Sequence, residues 1–160
     1  MGDNKRNEVF ARFIVKHYPK VRSVLVVADG NGELSAKLGV KGLKVRMIEA
    51  KPRNLKKHRN VQVQKGWFCE STKVTEDLVV GMHPDEATIE IVLCARKNGK
   101  PFAVVPCCAK VMPGREKYKK GINVGSRKRW INKLRDIAGA SQCQESVLPI
   151  QGANTVLWSR

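Results

Sequence analysis

The chain has 160 residues, 42% of them hydrophobic and 28% charged, a length that predicts one domain, residues 1–160, burying about two-thirds of its unfolded surface. No run of about 18 apolar residues offers a membrane span, and the opening MGDNKRNEVFARF lacks the apolar core of a secretory signal. Thirty-one Lys and Arg against 14 Asp and Glu give a net charge of +17, a field that draws polyanions, nucleic acid first among them.

In chain order, residues 1–19 predict an N-terminal helix, with Val9, Phe10, Phe13, Ile14 and Tyr18 on one face and Pro19 as its stop. VRSVLVVAD reads as a strand buried on both faces, the kind found at the centre of a parallel sheet. GNGELSAKLG turns into a short helix. LKVRMIEA, VQVQKGWF and DLVVGMHP follow as strands two to four. PDEATIEIVLCARKNG has a helix's signals: Pro in the first turn, acids near the start and Asn98-Gly99 as a stop. PFAVVPCC is a fifth strand. After a basic loop, SRKRWINKLRDIAG predicts a helix with Ser126 as N-cap and Trp130, Leu134 and Ile137 on its apolar stripe. ESVLPI and NTVLWS, joined by QGA, demand an antiparallel hairpin. Strands alternating with helices predict an α/β sheet, residues 20–160, with right-handed crossovers.

The five cysteines (Cys69, Cys94, Cys107, Cys108, Cys143) have no disulfide-framework spacing, which fits a reducing compartment, cytoplasmic or nuclear. Gly2 starts no myristoylation motif, because Arg6 stands where Ser or Thr is required. No metal site is expected: His17, His58 and His83 are scattered and no C-x-x-C occurs.

The chemistry starts where the first strand ends, at Asp29-Gly30-Asn31-Gly32. Glycines there let backbone N–H groups approach a ligand, and a helix N-terminus follows. Glu49, 19 positions after Gly30 at the end of the second strand, is placed to accept hydrogen bonds from two ribose hydroxyls. Nicotinamide-binding proteins and methyltransferases that use S-adenosylmethionine (SAM) share both features. Gly30-x-Gly32-x-x-Ser35 is a partial match to G-x-G-x-x-G/A. A hydride-transfer enzyme adds a substrate domain that 160 residues do not accommodate. No G-x-x-x-x-G-K-[ST] string supports a nucleotide triphosphatase.

The order of elements with its closing hairpin resembles the class I SAM-dependent methyltransferases. The fold implied is a Rossmann-like three-layer αβα sandwich, its seven-stranded sheet mostly parallel with an antiparallel C-terminal strand. DLVVGMHPDEAT followed by PFAVVPCC is similar to a subset of that superfamily that includes RNA-modifying members, with Pro-Cys-Cys after the fifth strand. The resemblance implies SAM as cofactor. Asp29, Gly30 and Gly32 would form the loop under its methionine part, Glu49 would hold the ribose, and Gly66, Trp67 and Phe68 would lie near the adenine. Gly81, Met82 and His83 would face the methyl group and the substrate. The sequence departs from the family pattern in two places: Ala28 stands at the usual acidic position, and the loop's third glycine is absent.

His83 and Asp85 are the acid–base candidates in the fourth-strand loop, with Asp85 also suited to a helix start. Cys107 is a candidate nucleophile, weighed against plain packing. Alternation along a strand would bury one thiol of the Cys107-Cys108 pair. Ten Lys and Arg lie in residues 110–135 beside one acid, Glu116. Among them Arg115, Lys117, Lys119, Lys120, Arg127, Lys128 and Arg129 are expected to contact RNA, with Tyr118 stacking on a base. Lys51, Arg53, Lys56 and Lys57 form a second cluster after the second strand. The function expected is methyl transfer from SAM to RNA, tRNA or rRNA. The alternative is a non-catalytic Rossmann-like RNA-binding module, or a subunit completed by a protein partner.

Overall fold

The computed structural model describes residues 3–123 and 126–160; Gly2 lies outside them. Among the described residues, four α-helices, α1 (Arg6–His17), α2 (Glu33–Val40), α3 (Thr88–Asn98) and α4 (Arg127–Ala138), accompany seven strands. The strands are β1 (Ser23–Val27), β2 (Lys44–Glu49), β3 (Val61–Lys65), β4 (Leu78–Met82), β5 (Phe102–Val105), β6 (Cys143–Val147) and β7 (Thr155–Ser159). They form one sheet in the order β3-β2-β1-β4-β5-β7-β6. β1 to β5 pair in parallel, and β7 runs antiparallel to both β5 and β6.

The two-residue period of β1 divides the core. Val24 and Val26 join one apolar layer with Phe10, Ile14, Leu34 and Leu38 from α1 and α2. Leu25 and Val27 join the other with Ile89, Ile91, Trp130 and Leu134 from α3 and α4. A strand apolar at every position is thus one that meets helices on both sides. The edge strands are more polar: Gln62, Gln64 and Lys65 of β3, and Gln144 and Glu145 of β6, are exposed, which discourages pairing with another sheet. No helix among the described residues is long and apolar enough to cross a membrane.

Several predicted boundaries shift. α1 covers Arg6–His17, shorter at both ends than the predicted 1–19. The stretch after Pro84 opens as a 3-10 turn, Asp85–Ala87, before α3 begins at Thr88, whose hydroxyl donates to the Asp85 carbonyl at 2.8 Å. β6 is placed at Cys143–Val147, earlier than ESVLPI suggested, and the Leu148 N–H continues its antiparallel register by donating to the Asn154 carbonyl at 2.8 Å. Ser126 does occupy the N-cap of α4, without a side-chain hydrogen bond. Tyr18 fastens α1 to the far side of the sheet: its hydroxyl lies 2.9 Å from the Phe102 carbonyl and 2.6 Å from that of Ser159.

The sheet order reverses between β1 and β4, the position at which open α/β sheets form a ligand crevice at the strands' carboxyl ends. The turn from β1 into α2 is built there. Gly30 and Gly32 take φ of 61° and 74°, a left-handed backbone that glycine adopts without steric cost. Asp29 caps α2 from inside the turn, accepting from the Leu34 N–H (3.2 Å), the Ser35 N–H (2.7 Å) and the Ser35 hydroxyl (2.7 Å). Burial outweighs these bonds and pushes the Asp29 carboxyl up to about 6.

A raised carboxyl pKa has a definite sign in stability. Between about pH 4, the range of a free Asp, and about pH 6 the folded state holds a proton that the unfolded state has released, so stability falls as pH rises through that window. Relative to Asp29→Asn, the wild-type chain is expected to lose about 2 kcal/mol between pH 4 and pH 7 in urea melts. Parallel stability curves for the two proteins would contradict this.

Candidate functional site

A cleft of about 810 Å³ opens at the carboxyl ends of β1, β2 and β4, within the roughly 300–1,000 Å³ common for small-molecule sites. Its walls bring together Gly30, Glu49, Gly66, Trp67, Phe68, His83 and Asp85 from the sequence-derived set, together with Lys51 and Arg53. Ala28, at φ 57°, lies in the same wall. His83 and Asp85 also have positive φ, 52° and 46°. Left-handed backbone at three non-glycine residues beside one cleft is the kind of strain that collects at functional sites.

Glu49 organises the entrance. Its carboxylate accepts from the Gly30 N–H and the Lys51 N–H, each at 2.8 Å. The segment after β2 then folds back over the turn, with the Arg53 N–H donating to the Gly30 carbonyl (3.3 Å) and the Lys56 N–H to the Asn31 carbonyl (2.8 Å). A carboxylate offers about four acceptor sites, so two remain on Glu49 for ligand hydroxyls. At Gly30 an added Cβ would meet nothing within 4 Å, leaving that backbone open to close approach.

Four residues expected in the cofactor set lie outside the cleft's lining. The Asp29 carboxylate points into α2, captured by the three donors of that helix's first turn. It therefore does not replace the acid that Ala28 lacks. Gly32 is buried against Met47 and the Leu55-Lys56 segment. Gly81 packs so closely beneath α3 that a Cβ would stand 2.5 Å from Ile91 Cδ1. Met82 belongs to the apolar layer under α1.

The catalytic candidates are all engaged. His83 Nε2 donates to the Ala153 carbonyl at 2.8 Å, which leaves Nδ1 to accept from Arg6 Nη1 at 3.3 Å. Burial holds the imidazole below its ordinary pKa, so a neutral ring ties α1, β4 and the C-terminal hairpin together. The Cys107 thiol donates to Asp85 Oδ1 at 3.1 Å, and burial with that contact pushes it up to about 12. A nucleophilic cysteine must be a thiolate; in this structure Cys107 is a thiol that donates to Asp85. The alternation argument for Cys108 also fails: Pro106 lies past the end of β5, and both thiols turn to one carboxylate, with Cys108 Sγ 3.6 Å from Asp85 Oδ1.

The cationic residues separate into two kinds. Arg115 is structural: its guanidinium binds Glu90 at 2.6 Å and Glu70 at 2.8 Å, and Glu90 is 1% exposed. Lys117 lies over the Tyr118 ring, 5.0 Å from its centroid, and Tyr118 packs on the apolar layer beneath α3 and α4, so that ring is not the free stacking platform expected of it. Lys56 reaches Glu33 at 3.7 Å, and Arg127 donates to the Gly152 carbonyl at 3.2 Å. Lys51, Arg53, Lys57, Lys119, Lys120, Lys128 and Arg129 are exposed. Trp67, at the cleft, is 69% exposed. Arg6, Met112 and Pro113 are site residues that sequence patterns did not reveal. They reach the cleft or its supports from elements distant in the chain.

No protein-family model and no curated protein sequence matches the chain. Solved structures do. A Methanococcus maripaludis protein assigned to the S-adenosyl-L-methionine-dependent methyltransferases superposes with a TM-score of 0.61 at 12% identity, covering 94% of this chain and 83% of its own. The sugar N-methyltransferase KedS8 of a Streptoalloteichus species gives 0.60 at 12%, covering 98% and 86%. PigF, solved with SAH, gives 0.60 at 14%, covering 94% of this chain and 54% of its own, so the chain spans about half of PigF's length. At these identities the likeness establishes architecture: the chain has the seven-stranded Rossmann-like methyltransferase fold.

Proposed function

We propose that the chain is a SAM-dependent methyltransferase that acts on RNA. The observation that carries the cofactor reading is Glu49, its carboxylate closing on the Gly30 turn at the switch point of a methyltransferase fold, inside a cleft of suitable size. The residues present fit the group. Glu49 keeps two acceptor sites for ribose hydroxyls, Gly30 offers open backbone, and Ile48, Phe68 and Ala87 supply apolar wall for a base. SAM brings the chemistry itself, a methyl group on a sulfonium that a nucleophile displaces.

The chain's own contribution is positioning. With His83, Asp85 and Cys107 all engaged, no side chain of that group is held ready to remove a proton. The reading therefore favours a substrate atom that attacks without prior deprotonation. Trp67, exposed at the cleft beside Gly66, offers a face for a nucleobase, where stacking contributes about 1–3 kcal/mol. Support for a polyanion comes from α4, whose first turn carries Arg127, Lys128 and Arg129 and no acid. Cations at a helix N-terminus oppose its dipole by about 0.3–1 kcal/mol each, a cost that bound phosphate offsets.

The engaged catalytic candidates and the inward-turned Asp29 favour a second reading, an RNA-binding module without transferase activity. Isothermal titration separates the two. One SAM per chain is expected, with Glu49→Gln weakening it about 10- to 100-fold through lost charge-assisted hydrogen bonds. Absence of heat at millimolar SAM, with the protein folded, would overturn the enzyme reading and leave the second.

RNA affinity is expected to fall with salt at a log–log slope of about −4 to −5 if six phosphates are contacted. Lys119→Ala with Lys120→Ala should weaken RNA binding and leave the melting point unchanged. Arg115→Ala should instead cost about 3 kcal/mol of stability by leaving Glu90 buried without its countercharge. Salt-independent RNA binding, or an Arg115→Ala variant as stable as wild type, would contradict these assignments.

A further inference from the structure

Just past the ends of β4 and β5 the chain gathers three donors that the methyltransferase reading does not use. Cys107 Sγ and Asp85 Oδ1 are 3.1 Å apart, the two sulfurs 3.5 Å, and Cys108 Sγ and Asp85 Oδ1 3.6 Å. Each residue supplies one ligand atom, and all three atoms fall within 4.8 Å of one another. In a tetrahedral zinc centre, Zn–S of about 2.3 Å and Zn–O of about 2.0 Å put two sulfurs about 3.8 Å apart and a sulfur–oxygen pair about 3.5 Å apart. Each observed edge lies within a few tenths of an ångström of those values. One ion at the centre would therefore meet all three donors with little movement of the chain.

Sequence spacing concealed this arrangement, because Asp85 is 22 positions from Cys107 and no C-x-x-C announces it. Two local features produce it. Pro106 lies past the end of β5, so the adjacent cysteines leave the strand alternation and face the same way. Asp85 sits at φ 46° and turns its carboxylate toward them.

From this geometry we infer that Asp85, Cys107 and Cys108 form a divalent zinc site at the edge of the cleft. The donor set selects the ion. Thiolates disfavour magnesium and calcium, which take oxygen ligands, while a carboxylate beside them disfavours copper(I) relative to zinc. Binding replaces two S–H bonds with two S–Zn bonds, and both protons go to solvent. There is no change of oxidation state. Three protein ligands leave a fourth position for water or substrate, as at zinc centres that take part in reactions. Asp85 also lines the cleft, so that position lies next to the space assigned to the cofactor. The site itself does not depend on the cofactor reading and is tested without SAM.

Cobalt(II) is the probe, because cobalt–thiolate bonds absorb through ligand-to-metal charge transfer. Reduced full-length protein under argon, titrated with Co²⁺, is expected to develop that band with one ion per chain and to lose it on adding Zn²⁺. Cys107→Ser and Cys108→Ser should each abolish the band. Asp85→Asn should weaken binding about 10- to 100-fold; asparagine tolerates the left-handed backbone at that position, and thermal melting checks that each variant folds. Cys143→Ser, on the outer strand β6, should bind as wild type does. No band at millimolar Co²⁺ in folded protein would overturn the inference. So would a band that survives loss of either vicinal cysteine, or Asp85→Asn binding at wild-type affinity.

Discussion

Glu49 joins the end of β2 to the turn after β1, and the cleft takes its shape from that contact. Its carboxylate holds the Gly30 and Lys51 amides 2.8 Å away on its two oxygens. The turn is thereby fixed against the segment that crosses it, and two further backbone bonds, from Arg53 and Lys56, complete the closure. A turn gripped in this way keeps its glycine backbone facing the cleft instead of sampling the many conformations open to glycine. The same carboxylate that fixes the turn is the one the proposed function assigns to the ligand.

Around that contact the chain has used its other polar groups for support. Asp29 caps α2, His83 ties α1 to the C-terminal hairpin, and Arg115 neutralises Glu90. Each sits within or beside the residues that a functional reading selects, and each is spent on holding an element in place. What remains available at the cleft is backbone amide, aromatic surface at Trp67 and exposed cations such as Lys51 and Arg53. Under the proposed function, such a site would bind through shape, ribose hydroxyls and phosphate and would act by alignment more than by proton transfer.

The architecture was legible because its signals are local. The apolar run of β1, the glycine turn, Glu49 at the end of β2 and the short link between β6 and β7 each declare themselves within a few residues. The roles of side chains were less legible, because they depend on partners far along the chain. Nothing near His83 indicates that Arg6 and Ala153 will take both of its nitrogens. Nothing near Arg115 indicates a buried Glu90, since α3 presents that acid inward among apolar neighbours. The place of Asp29 beside Gly30 suggests a cofactor loop, but the free N–H groups at the start of α2 compete for its carboxylate and win. The Asp85–Cys107–Cys108 cluster was invisible for the same reason: two strand ends meet only in the folded sheet.

The central claim is that the Glu49–Gly30 contact forms the floor of a SAM site. An amide-resolved NMR titration of the labelled chain with S-adenosylhomocysteine tests it most directly, because Gly30 and Lys51 both donate to the carboxylate in question. Saturable shifts are expected at Gly30, Lys51, Gly66 and the Trp67 indole, with Gly99 and Gly139 unmoved. A spectrum that ignores the ligand at millimolar concentration, or shifts confined to residues away from the carboxyl ends of β1 and β2, would contradict it.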